Sequence, residues 1–169
     1  METRLATIKD LPIIKNTFAK IVENMFQNGI DVWDEVYPCD YFEDDIKSER
    51  LYALFDDEKL VSAFALCESL EGEDSLEWHY GNVKALWLCR FGVAPEYTGK
   101  GIAGYMINEA KKISIKRGVK YLRLFVVESN IPAIKLYEKN GFIKAKGAYF
   151  EPVPEGPVLA EYGYEIKTF

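Results

Sequence analysis

Apolar residues recur at helical spacing in some stretches of the chain and form short runs or alternate in others, and the two patterns interleave. Leu5 to Ile8 predicts a short first strand. Asp10 then caps a helix that tolerates Pro12 in its first turn. Leu11, Ile14, Phe18, Ile21, Val22 and Met25 give this helix one apolar face, and Gly29 ends it. Those residues read as core. A short second helix follows Asp40. Leu51 to Phe55, the polar turn Asp56 to Lys59, and Leu60 to Leu70 predict a hairpin. Glu71 to Asn82 is polar and reads as a loop, and Ala85 to Val93 reads as a central strand. Ile102, Met106, Ala110 and Ile113, flanked by Ala103 and Ile107, predict a third helix that Gly118 closes. Tyr121 to Val127 is the next strand. A fourth helix starts at Pro132, is capped by Asn130 and closes at Gly141, with Phe142 behind it. Gly147 to Phe150 and Val158 to Ile166 are closing antiparallel strands joined by residues 151–157. The predicted fold is a single α/β (α+β) domain spanning 1–169, in the order β-α-α-β-β-β-α-β-α-β-β.

Composition narrows the function classes. The chain has 169 residues, enough for one domain with a substantial core. Its net charge of −6 disfavours a free-standing nucleic-acid binder. No apolar run approaches membrane-spanning length, so no membrane partner is expected. Glu2, Arg4, Lys9 and Asp10 leave no visible signal peptide at the start. Cys39, Cys67 and Cys89 are odd in number and widely spaced, which suggests reduced thiols in the cytoplasm. With His79 the only histidine, no metal site is expected.

Gly99-Lys-Gly-Ile-Ala-Gly104 is the stretch with chemistry in it. A helix start carries backbone N–H groups without intrahelical partners and a partial positive charge. Glycines there let a phosphate come close to the backbone. The six residues also match the dinucleotide fingerprint, which would make the chain a nicotinamide-dependent oxidoreductase. Against that, five residues separate Val93 from Gly99, and no series of βαβ units follows. Taken alone, the turn reads equally well as a glycine-rich corner kept for tight packing.

Two segments together are more specific. Val93-Ala-Pro-Glu-Tyr-Thr-Gly-Lys-Gly-Ile-Ala103, followed by Asn130-x-x-Ala133-x-x-x-Tyr137-x-x-x-Gly141-Phe142, resembles the two signature motifs of the GCN5-related N-acetyltransferase family. One departure is Thr98, where the family usually has Arg or Gln. The resemblance implies a mixed, mostly antiparallel sheet flanked by helices and splayed between the Ala85 and Tyr121 strands. It implies coenzyme A, as acetyl-CoA, held by Thr98, Gly99, Lys100, Gly101, Ile102 and Ala103. Phe91 and Val93 would supply main-chain contacts to the pantetheine arm and polarise the thioester carbonyl. Asn130 would reach a ligand amide, and Tyr137 would protonate the departing thiolate.

The reaction so implied is acetyl transfer to a primary amine, on a small molecule or a peptide, by direct attack. Trp33 and Tyr37, among the acidic residues of Ile30 to Asp45, read as a wall of the acceptor site, or as aromatics plugging the core edge beneath a solvated acidic face. Glu128 joins the expected acceptor contacts. The proton acceptor stays open between Glu128, Glu77 and His79, and His79 alone reads more readily as a surface residue. Cys89 reads as a small hydrophobe before it reads as a nucleophile. Residues 151–157 read as a cover for the acceptor site or as a rigid connection. A non-catalytic acyl-CoA-binding domain is the other reading of the same motifs, and a homodimer is open because many members of the family are dimers.

Overall fold

The computed structural model describes residues 1–154 and 156–169. The elements follow in the order β1 (Glu2–Leu5), α1 (Leu11–Gln27), α2 (Phe42–Lys47), β2 (Leu51–Asp56), β3 (Lys59–Cys67), β4 (Leu86–Val93), α3 (Ile102–Lys116), β5 (Tyr121–Val127), α4 (Ile131–Lys139), β6 (Ile143–Lys144), β7 (Tyr149–Glu151) and β8 (Leu159–Lys167). The hydrogen-bonded strand order is β1-β2-β3-β4-β5-β8-β6, with β7 also beside β8. Pairs β1–β2, β2–β3, β5–β8, β6–β8 and β7–β8 are antiparallel, and β4–β5 is parallel. This is the expected mixed, mostly antiparallel sheet, with one strand more than predicted. Two-residue β6 lies between Phe142 and the predicted closing strands, and is too short to show a periodicity. The chain forms two compact units, Met1–Leu66 with Cys89–Glu109, and Cys67–Leu88 with Ala110–Phe169.

In the first unit, Phe18 and Ile14 of α1, Phe42 of α2, Leu51 and Ala53 of β2 and Phe64 of β3 are all fully buried. Phe18 meets Phe42 edge-on at 4.6 Å. Gly92 makes room for α1, since a Cβ there would lie 2.8 Å from the Phe18 ring. Two local expectations are corrected. The first strand is Glu2–Leu5, because those residues pair with Phe55–Tyr52; at the sheet edge they show no apolar alternation, which leaves Leu5 to Ile8 as the misleading signal. Asp10 does not cap α1 with its side chain. Its carboxylate accepts instead from the Thr7 N–H at 2.7 Å and from Arg4 at 2.8 and 2.9 Å. The Arg4 guanidinium, foremost, holds that carboxyl down at about 2.

In the second unit, β5, β8 and β7 form a sheet whose two faces differ. Directly opposed residues of paired strands share a face, and successive residues alternate. One face carries Arg123, Phe125 and Val127 of β5 opposite Glu165, Gly163 and Glu161 of β8. Trp78 and Leu76 lie on Gly163, where a Cβ would come within 2.6 and 2.7 Å of them. Fully buried Glu165 accepts from Arg123 Nε at 3.2 Å and from the Tyr80 N–H at 2.9 Å. The other face receives α4, through the Tyr164 hydroxyl donating to Glu138 at 3.0 Å and through Ile166 beside Gly141.

Candidate active site

Helix α3 begins at Ile102, and its first intrahelical bond runs from the Tyr105 N–H to the Gly101 carbonyl at 3.1 Å. Ahead of it, Gly99 and Gly101 have φ of +77° and +78°. A Cβ at either position would meet nothing within 4 Å. Tight packing therefore does not explain these glycines. Left-handed backbone does, since other residues adopt it at a cost. Thr98, Gly99, Lys100 and Gly101 are exposed, and Ile102 and Ala103 half-buried. The corner is fixed from behind: the Ala94 N–H donates to Val61 at 2.8 Å, Thr98 N–H to Pro95 at 3.2 Å, and the Tyr97 hydroxyl to Asp56 at 3.0 Å. An open, rigid helix N-terminus with glycine backbone in front is what a pyrophosphate requires, so these residues fit coenzyme A.

Strand β4 feeds that corner. Its parallel pairing with β5 comprises Leu86 with Leu122 and Trp87 with Arg123, at the start of both strands. Phe91 and Val93 are half-buried, and Phe91 lies edge-on to Phe64. Between these segments Arg90 adopts φ +49°, unusual for a residue with a side chain. Its guanidinium holds both oxygens of Asp45, Nε to Oδ2 at 2.6 Å and a terminal nitrogen to Oδ1 at 2.8 Å. Arg50 Nε adds a bond to Asp45 Oδ1 at 2.6 Å, and Arg90 stacks 5.2 Å over the Tyr41 ring. Asp45 is fully buried, which corrects its place on a solvated acidic face. Arg90 as the lone cation in an apolar strand was a signal for a buried partner; nothing in the sequence separates Asp45 from its acidic neighbours.

Trp33 and Tyr37 are half-buried in a run of rings, Phe18–Trp33–Tyr37–Tyr41, at centroid distances of 6.1, 6.1 and 5.3 Å. Cys39 is half-buried and Cys89 buried.

In the second unit Asn130 caps α4, its side-chain oxygen accepting from the Ala133 N–H at 3.4 Å. Tyr137 is buried, with its ring 5.5 Å from Phe142. The Phe142 N–H returns to the Tyr137 carbonyl at 3.1 Å, and Gly141 has φ +88°, which closes the helix. Glu128 is exposed at the end of β5, within 3.4 Å of the Tyr162 hydroxyl. Glu77 is exposed and paired with Lys146 at 3.0 Å. His79 is exposed against Tyr80. Of residues 151–157, Glu155 lies outside the described residues.

Sequence reasoning passed over Glu161. It is half-buried on β8, opposite Val127 on one side and Tyr149 on the other. Burial first, and the Glu151 charge second, push its carboxyl up to about 7. The alternation of Val158 to Ile166 gave no signal to single it out.

Comparison with known proteins accounts for this arrangement. Residues 19–142 match the model of the acetyltransferase (GNAT) family. YwnH of Bacillus subtilis, provisionally named a phosphinothricin acetyltransferase, is 25% identical over 143 residues, 84% of this chain and 83% of that protein. The crystal structure of a GNAT-family acetyltransferase from Listeria monocytogenes superposes with a TM-score of 0.74 at 20% identity, covering 98% of this chain and 94% of that one. Spermidine N-acetyltransferase from Vibrio cholerae, crystallised with CoA and spermine, gives a TM-score of 0.69 at 20% identity over 99% and 95%. The oxidoreductase reading falls with the sheet, which is mostly antiparallel where a dinucleotide fold is parallel. GNAT acetyltransferases use acetyl-CoA, and this chain belongs to the GNAT family of acetyltransferases.

Proposed function

We propose that the chain, as a single N-acetyltransferase domain, moves acetyl from acetyl-CoA to a cationic primary amine by direct attack. The observation that carries this reading is the glycine corner, where left-handed Gly99 and Gly101 stand in open space before the N-terminus of α3. Thr98, Gly99, Lys100, Gly101, Ile102 and Ala103 would hold the pyrophosphate through backbone N–H groups. Main-chain groups of Phe91 and Val93 would meet the pantetheine arm, and an N–H there would polarise the thioester carbonyl. Asn130 would contact the cofactor amide, and Tyr137 would give its proton to the leaving sulfur.

The acceptor is read from charge and rings. Trp33 and Tyr37 lie in a segment with Asp31, Asp34, Glu35 and Asp40, and exposed Glu128 adds a carboxylate in the second unit. Aromatic faces and carboxylates suit an ammonium on a hydrocarbon stem. The spermidine acetyltransferase of V. cholerae, with its bound spermine, supports the same class of acceptor. The test is incubation of the purified protein with acetyl-CoA and spermidine, following thiol release and the acetylated product by mass. Product formation is expected. Binding of acetyl-CoA with no transfer to spermidine or any amine of a broad panel would instead establish a non-catalytic binding domain.

A further inference from the structure

Direct attack needs a group that takes a proton from the amine, and none of Glu128, Glu77 and His79 is set apart from bulk water by burial. On the β5–β8–β7 sheet, α4 covers one face, the face of Tyr164 and Ile166. The opposite face at the same end of β5 presents Val127, Glu161 and Tyr149 side by side across three strands. From the proposed function above, we infer that Glu161 is the proton acceptor for the attacking amine, on the sheet face opposite the helix that carries Tyr137.

Three features support the placement. Glu161 adjoins Val127, three residues before the Asn130 cap, so it stands at the strand end from which the second motif starts. It is half-buried, and among the described residues no cation or hydrogen-bond donor pairs with its carboxylate. The groups that face it do not neutralise it. Glu151 on β7 is acidic, Tyr149 opposite it brings no positive charge and itself lies near the Glu71 and Glu151 carboxylates, and Val127 carries no charge. A carboxylate whose proton affinity is raised toward neutrality is matched to taking a proton from an ammonium near pH 7.

The protons balance. Glu161 removes one proton from R–NH3+, which frees the nitrogen lone pair. The C–N bond forms at the acetyl carbonyl and the C–S bond breaks, its electron pair leaving on sulfur. Tyr137 protonates that sulfur, and the second proton lost by nitrogen restores the phenol. Amide, free thiol and one proton, released from Glu161 to solvent, are the products.

The test compares wild type, Glu161→Gln and Glu161→Asp with spermidine as the probe amine. It measures kcat/KM from pH 6 to 9, acetyl-CoA affinity by calorimetry, and melting. Glu161→Gln is expected to keep its fold and acetyl-CoA affinity, to lose about 100-fold or more in rate near neutral pH, and to lose the limb that rises through about pH 7. Glu161→Asp is expected to keep that limb at a reduced rate. Coincident pH profiles for wild type and Glu161→Gln would overturn the assignment of Glu161. Failure of the wild type to bind acetyl-CoA or to acetylate spermidine would count against the proposed function instead.

Discussion

Arg90 grips Asp45 with two bonds of 2.6 and 2.8 Å while its own backbone sits at φ +49°. The pair joins α2 to the strand that enters the glycine corner. Asp45 is fully buried between Arg90 and Arg50. Removing its charge takes away the carboxylate that the buried Arg90 guanidinium grips, while Arg50 keeps its bond to Asp44 at 3.1 Å. Asp45→Asn is therefore expected to cost about 3 kcal/mol, visible as a fall of about 6–12 °C in melting temperature. Arg90→Lys keeps the charge and loses the fork, so its loss should be smaller. Equal melting of wild type and Asp45→Asn would show that the ion pair contributes nothing.

Gly101→Ala places a Cβ in open space on left-handed backbone. The strain, about 1–2 kcal/mol, acts on the turn that would meet the cofactor. A drop of about tenfold in acetyl-CoA affinity is expected by calorimetry. Gly104→Ala, inside α3, provides the control on helical backbone. If both variants bind as wild type, the corner does not act through its conformation.

Tyr137→Phe removes one oxygen from a buried ring that stays packed on Phe142. Turnover should fall by about 100-fold with acetyl-CoA affinity little changed. Unchanged turnover would exclude Tyr137 as the acid.

Glu161 also sets a pH dependence of stability. Its carboxyl is raised in the folded chain to about 7 from an ordinary 4.5, so the folded state binds the proton more tightly than the unfolded one. The stability this brings is complete below about pH 4.5 and is lost as pH rises through about 7. Glu161→Gln cannot ionise, and should melt higher than wild type at pH 8, by about 1–2 kcal/mol once partial exposure is allowed for. The gap should narrow strongly by pH 5 and close below about pH 4.5. A constant difference across that range would contradict the shift.

Gly163→Ala tests the ring contact on β8. A Cβ would lie 2.6 Å from Trp78 and 2.7 Å from Leu76. Overpacking of this kind costs about 1–3 kcal/mol, and urea unfolding would read it.

The order of elements was legible because each long one carries its own period. The α1 face, the α3 face and the run Tyr121 to Val127 are local patterns, and the structure places them within a residue or two. The edge strand β1 was not legible, because its partner Phe55–Tyr52 is far along the chain and its outer side faces solvent. The glycine corner was visible as a motif, but only its φ angles in open space separate conformation from tight packing. Asp45 and Glu161 were illegible for one reason: a carboxylate has the same letter on a solvated face and where the fold covers it. Arg90 was half-legible, as a charge in an apolar strand whose partner lies 45 residues earlier.

The central claim rests on the cofactor, and calorimetric titration of the purified chain with acetyl-CoA, beside a parallel titration with NADH, tests it most directly. Saturable micromolar binding of acetyl-CoA with no heat from NADH is the predicted result. Binding of NADH, or no binding of acetyl-CoA, would contradict it.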